Sequence, residues 1–108
     1  MHPLKTSTVI FGDEAAIRPH GDIDHDALPS LRAASDALPG DVAFLTWDFG
    51  DVPFIGVAGL HLLGEQRMLA GRQGRTLTVR GLRAQPQRLL RVAAELYPTM
   101  GWNTLLAG

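Results

Sequence analysis

The chain has 108 residues, 45% of them apolar and 19% charged, with 12 Gly, 7 Pro, no Cys and a formal net charge of −1 at pH 7. A domain of this size buries roughly two thirds of the surface its unfolded chain exposes, so a core can form without metals or cross-links. The lack of Cys excludes disulfides, thiolate metal sites and cysteine nucleophiles.

Thr8-Val9-Ile10-Phe11, the turn Gly12-Asp13 and Ala15 to His20 read as two short strands in a hairpin, with Pro19 marking a strand edge or end. Asp24 or Asp26 can cap a first helix that carries Leu28, Leu31, Ser35 and Leu38 on one face, with Pro29 in its first turn and Pro39-Gly40 closing it. Val42 to Phe49 is apolar enough to predict a strand covered on both faces, with Asp48 as its one ionisable group. A second helix is expected from Val57 or Ala58 to about Gln73, with Ala58, Leu62, Leu69 and Ala70 in one apolar arc and Leu60, Gly64, Arg67 and Gly71 on another side. Thr76 to Val79 follows as a strand. Pro86 then opens a third helix patterned on Leu89, Val92, Ala93 and Leu96, and Pro98 stops it.

The order β-β-α-β-α-β-α predicts a single α/β domain over residues 1–108, with a core at about 8–97 and a tail at 98–108. Its sheet is expected to have four to five strands, mostly parallel, with an antiparallel N-terminal strand and three to four helices. Met100, Trp102, Leu105 and Leu106 are too apolar to leave in water, so the tail should dock on the domain or on a partner. No apolar run approaches the ~18 residues of a membrane span, and Met1 to Thr8 lacks the apolar stretch of a secretory signal. The reading is therefore of a soluble, cytoplasmic protein without membrane insertion.

Charge is divided along the chain. Residues 1–66 carry 10 acids against 3 bases, and residues 67–108 carry 7 bases against 1 acid. The seven Arg from Arg67 to Arg91 could form a basic stripe, but no aromatic residue stands among them to stack on bases. They read as solvated helix surface, and no nucleic-acid partner is expected.

Two segments then become specific. Gly21-Asp22-Ile23-Asp24 before the first helix, and Trp47-Asp48-Phe49-Gly50-Asp51-Val52-Pro53-Phe54-Ile55-Gly56-Val57-Ala58-Gly59-Leu60 into the second, resemble the STAS domain of anti-sigma factor antagonists. Gly21, Ile23 and Asp24 match the family's first element. Asp48, Val52, Phe54, Ile55, Gly59 and Leu60 match the second without a gap, and Gln73-Gly74-Arg75-Thr76-Leu77 and Gln87-Arg88-Leu89-Leu90 look like its later strand and helix. The resemblance implies a non-enzymatic regulatory module of bacterial transcription control, with a protein partner such as a kinase-type anti-sigma factor. It departs from the family at one point. The family's acidic residue and phosphorylatable Ser correspond to Gly56 and Val57, and no Ser or Thr lies between Phe49 and Glu65, so phosphoryl transfer at this position is chemically impossible.

The resemblance places the partner-binding residues at the start of the second helix: Pro53, Gly56, Val57, Ala58, Leu60, His61 and Gly64. Asp22, Asp24, Asp48 and Asp51 are expected on the same end of the sheet, giving an acidic contact face with Val57 and Leu60 at its centre and a partner that offers Arg or Lys around an apolar pocket. No cofactor is expected, and homodimerisation is left open. A STAS subunit of a transporter ATPase or another signalling assembly is the alternative, and the missing Ser fits it almost as well. A third class, a small metal-dependent hydrolase, rests on the His20 to Asp26 cluster of two His and three Asp, but a strand end running into a helix cap turns alternate residues apart. No Ser-His-Asp order has supporting context in the sequence, and the glycines form neither a P-loop nor a dinucleotide fingerprint.

Overall fold

The computed structural model describes residues 5–106, apart from the side chains of residues 103 and 104, so the outer ends of the predicted 1–108 domain lie outside the described residues. β1 (Lys5–Phe11) and β2 (Glu14–His20) form the expected hairpin, which turns at Gly12-Asp13. Gly12 has φ +62, the left-handed conformation a two-residue reversal asks of its leading residue. β1 begins three residues earlier than its apolar pattern predicted, because Lys5, Thr6 and Ser7 pair with His20, Pro19 and Arg18.

After β2 come a 3-10 turn (His25–Ala27), α1 (Leu28–Asp36), β3 (Phe44–Asp48), α2 (Val57–Gln73), β4 (Thr76–Arg80) and α3 (Ala84–Leu96). A second 3-10 turn (Pro98–Met100) leads to the short α4 (Trp102–Leu106). The sheet order is β1-β2-β3-β4, with β1 antiparallel to β2 and the other neighbours parallel. The fold is the α/β class the sequence predicted.

Strand alternation sends Ala15, Ile17, Leu45, Trp47 and Val79 to one face, where they join Leu31 of α1, Leu62 and Leu63 of α2, Leu90 of α3, and Trp102 and Leu105 of α4 in one core. The opposite face is open, which corrects the expectation that β3 is covered on both sides. Phe44 stands 48% exposed on it, while Val42 and Phe49, which made the run look uniformly apolar, are buried from the flanking loops rather than from the strand.

Two helix faces also differ from their predicted arcs. α3 buries Pro86, Leu90, Ala93 and Ala94 and leaves Val92 and Leu96 exposed, a rotation of about one residue toward the small side chains that let α4 pack closely. α2 buries Gly59, Leu62, Leu63, Gln66 and Ala70. Gln66 is tolerated there because the Ser35 hydroxyl of α1 donates to its Oε1 at 2.8 Å. The tail docks on the domain through Trp102 and Leu105, although Met100 remains half-exposed.

Candidate functional site at the start of the second helix

The segment from Phe49 to Gly56 carries the chain from the end of β3 to α2, and its conformation follows from two buried anchors, Val52 and Ile55. Ile55 lies as a one-residue strand between two partners. On one side the Ile23 N–H donates to the Phe54 carbonyl and the Gly56 N–H to the Ile23 carbonyl, each at 3.0 Å. On the other, the Ile55 N–H donates to Gln85 Oε1 at 2.8 Å while Gln85 Nε2 donates to the Ile55 carbonyl at 3.0 Å. Both backbone groups are satisfied, so the turn before α2 is fixed rather than loose.

This clamping lifts the neighbouring side chains outward. Phe54 is 46% and Val57 68% exposed, and Pro53 and His61 are exposed beside them. Gly56 is the extended N-cap of α2, with no side-chain hydrogen bond to the first turn. Ala58 and Leu60 are half-buried and pack against the core. Gly64 lies farther along under the Trp102 indole, close enough that an added Cβ would meet it at 3.2 Å. Gly59 is more tightly placed, since a Cβ there would stand 2.9 Å from the Ile55 Cβ.

The four aspartates divide into two kinds. Asp22 and Asp24 are exposed on either side of buried Ile23, next to the Phe54–Gly56 backbone, and Asp24 Oδ1 accepts from the Asp26 N–H at 3.1 Å to cap the 3-10 turn. Asp48 and Asp51 face the open side of the sheet and are neutralised there. Asp48, whose side chain is only 12% exposed, accepts from the Gly50 N–H at 2.9 Å and pairs with Arg18 at 3.2 Å and Arg80 at 3.5 Å. Asp51 pairs with Arg18 at 3.0 Å and His20 at 2.8 Å. The hydrogen bond from Arg18 holds the Asp51 carboxyl below the usual carboxylate range, with His20 adding to it, and in return the Arg18 guanidinium is pushed higher. The acidic face expected from the sequence is therefore acidic only at Asp22 and Asp24. The arginines that neutralise the other two come from β2 and β4, and no linear spacing joins them.

Among the described residues, no three of His, Asp and Glu gather as metal ligands, and His20 turns to Asp51 instead of toward His25 or Asp26. Phe54 and Gln85 complete the site and were not expected in it. Phe54 had entered only as a matching motif position, and Gln85 lies 30 residues away in sequence, where no local pattern marks it.

The family described as "Mlab, STAS domain" matches residues 7–94, most of the chain. The chain belongs to the STAS-domain family. Solved structures agree on the fold. The anti-sigma factor antagonist SpoIIAA in its unphosphorylated form is similar with TM-score 0.65 at 17% identity, covering 82% of this chain and 81% of that one. An anti-sigma factor antagonist from Mycobacterium paratuberculosis is similar with TM-score 0.61 at 22% identity, covering 88% and 83%. A structure described as Mglu gives TM-score 0.66 at 16% identity over 73% of this chain, which spans only 20% of that protein. No curated protein matches. The STAS match ends before α4, so Trp102 and Leu105 add a cover over α2 and α3 from outside the matched range.

Proposed function

We propose that this STAS domain is a non-enzymatic regulatory module of the anti-sigma factor antagonist type, which docks a protein partner on the start of α2 and is not phosphorylated there. The observation that carries the reading is the exposed pair Phe54 and Val57, held by a backbone already fixed between Ile23 and Gln85. A surface that is ordered before binding loses little entropy on docking, and an apolar centre with a charged rim is what a specific contact uses. Asp22 and Asp24 supply that rim, so the partner offers Arg or Lys beside an apolar pocket.

Val57 in place of a hydroxyl residue removes the usual phosphate switch, so binding is constitutive and is set by the abundance of the two proteins. A kinase-type anti-sigma factor in the bacterial cytoplasm is the leading partner. A STAS subunit of a transporter ATPase is the second reading, and the same missing hydroxyl favours it, because a permanent subunit needs no phosphate switch.

Affinity capture from the source cell with the intact chain and with Val57→Glu tests both. A protein retained by the first and lost by the second supports the site, and its identity decides between the two readings. Equal retention by both chains overturns the site.

A further inference from the structure

On the open face of the sheet, away from the start of α2, three side chains from three segments line up in a relay. His20 Nδ1 lies 2.8 Å from Asp51 Oδ2, and His20 Nε2 lies 3.0 Å from the Ser7 hydroxyl oxygen. A carboxylate can only accept, so the imidazole proton resides on Nδ1 and donates to Asp51. In the neutral imidazole that leaves Nε2 with a free lone pair, which accepts from the Ser7 O–H. The hairpin register produces this placement. Ser7 stands opposite Arg18 and Lys5 opposite His20, so Ser7, Lys5, Arg18 and His20 share one face. Ser7 is exposed, so a reagent in solution can reach it.

We propose that Ser7 is a covalent acyl-acceptor site, activated by His20 as general base and by Asp51 as a positioning residue, for activated carboxylic esters. The inference is independent of the docking role of α2. In the step proposed, Ser7 Oγ attacks the ester carbonyl carbon and a C–O bond forms. The hydroxyl proton passes to His20 Nε2, and the tetrahedral centre collapses with loss of the alcohol, which takes that proton as it leaves. The product is an O-acyl serine and a neutral imidazole, so atoms and charge balance without a further reactant. The proposal stops at the acyl-serine.

The intact chain is treated with p-nitrophenyl acetate, following p-nitrophenolate release together with intact mass and peptide mapping. The expected result is one acetyl group per chain on Ser7. Ser7→Ala and His20→Gln should each slow it by on the order of 100-fold while their thermal melts match the parent. Ser30→Ala, an exposed serine on α1, should leave it unchanged.

Asp51→Asn carries a readout that a purely structural role would not move. An asparagine amide at position 51 can offer His20 Nδ1 a donor as well as an acceptor, so it no longer fixes the imidazole proton there as the carboxylate does. Asp51→Asn should therefore slow acetylation of Ser7 by on the order of 10-fold, and Asp51→Glu, which keeps an acceptor-only carboxylate, should restore the rate. Acetyl on Lys5 or on the N-terminal amine in place of Ser7 would overturn the proposal, as would an unchanged rate in Ser7→Ala or in His20→Gln.

Discussion

The Gln85 carboxamide closes on both backbone polar groups of Ile55, so a side chain from the first turn of α3 stands in for a β-strand next to the loop that enters α2. Ile55 is fully buried, and Gln85 supplies a partner to both its N–H and its carbonyl. Gln85 on this side and the Ile23 backbone on the other together fix the position of the exposed Phe54–Val57 patch.

Gln85→Ala should leave that N–H and carbonyl unpaired and lower stability by about 1–3 kcal/mol. Urea denaturation measures the loss, and hydrogen exchange at the Ile55 amide should accelerate by more than the global loss accounts for. Exchange at Ile55 that follows global unfolding alone would mean that the clamp has no local role.

Val57→Glu places a charge at the centre of the proposed contact and should weaken partner binding by on the order of 2 kcal/mol or more. Val57 is 68% exposed and opens α2, where a carboxylate meets the positive end of the helix, so the fold should be unaffected. Calorimetry with the captured partner and circular dichroism of the variant alone separate the two effects.

Gly59→Ala acts on the platform beneath. Its Cβ would stand 2.9 Å from the Ile55 Cβ, a contact between two backbone-bound atoms that no rotamer relieves. A destabilisation of about 1–3 kcal/mol is expected, typical of overpacking, together with a displaced Phe54. A melting temperature equal to that of the parent would show that the α2–Ile55 contact can open without cost.

These residues also show how far the sequence was legible. The bounds of α2 could be read because Gly56 and Gly74 bracket it, and the hairpin because Gly12-Asp13 has turn chemistry. The start of β1 could not, since Lys5-Thr6-Ser7 has no apolar period and becomes a strand only by pairing with β2. The face of α3 was misplaced because Leu89 and Leu90 are adjacent and the packing of Ala93 and Ala94 on neighbours decides between them. The neutralisation of Asp48 and Asp51 was hidden for a similar reason. Arg18 and Arg80 reach them only through the parallel register of three strands, and the antiparallel register of the hairpin, not any motif, brings His20 to Ser7.

Asp51 gives a prediction in pH. Its carboxyl is held below the ordinary carboxylate range in the folded state, chiefly by the hydrogen bond from Arg18. A depressed folded-state pKa contributes stability that is present above the unfolded value and is lost as pH falls through the folded one. In a His20→Gln background, which removes titration of the imidazole, Asp51→Asn should therefore be less stable than its parent near neutrality. The difference should close as pH falls below about 4. Urea denaturation over a pH series measures it, and a difference that persists in acid would assign the effect to packing.

The division of the aspartates decides what electrostatics does at the docking face. Asp22 has no ion pair among the described residues and sits beside Phe54 and Gly56, so its field reaches a partner unopposed. Asp51 and Asp48 are matched by Arg18 and Arg80 and contribute little net field. Asp22→Asn should therefore slow association and flatten its salt dependence, because long-range steering follows unbalanced charge. Arg83 and Arg88 are exposed around α3, and Arg83→Ala and Arg88→Ala should leave the association rate and its salt slope nearly unchanged. Stopped-flow association at several ionic strengths distinguishes the cases. If the arginine variants bind more slowly and Asp22→Asn does not, the partner approaches through β4 and α3 and carries acidic or phosphate groups, and the assignment of the contact to the start of α2 fails.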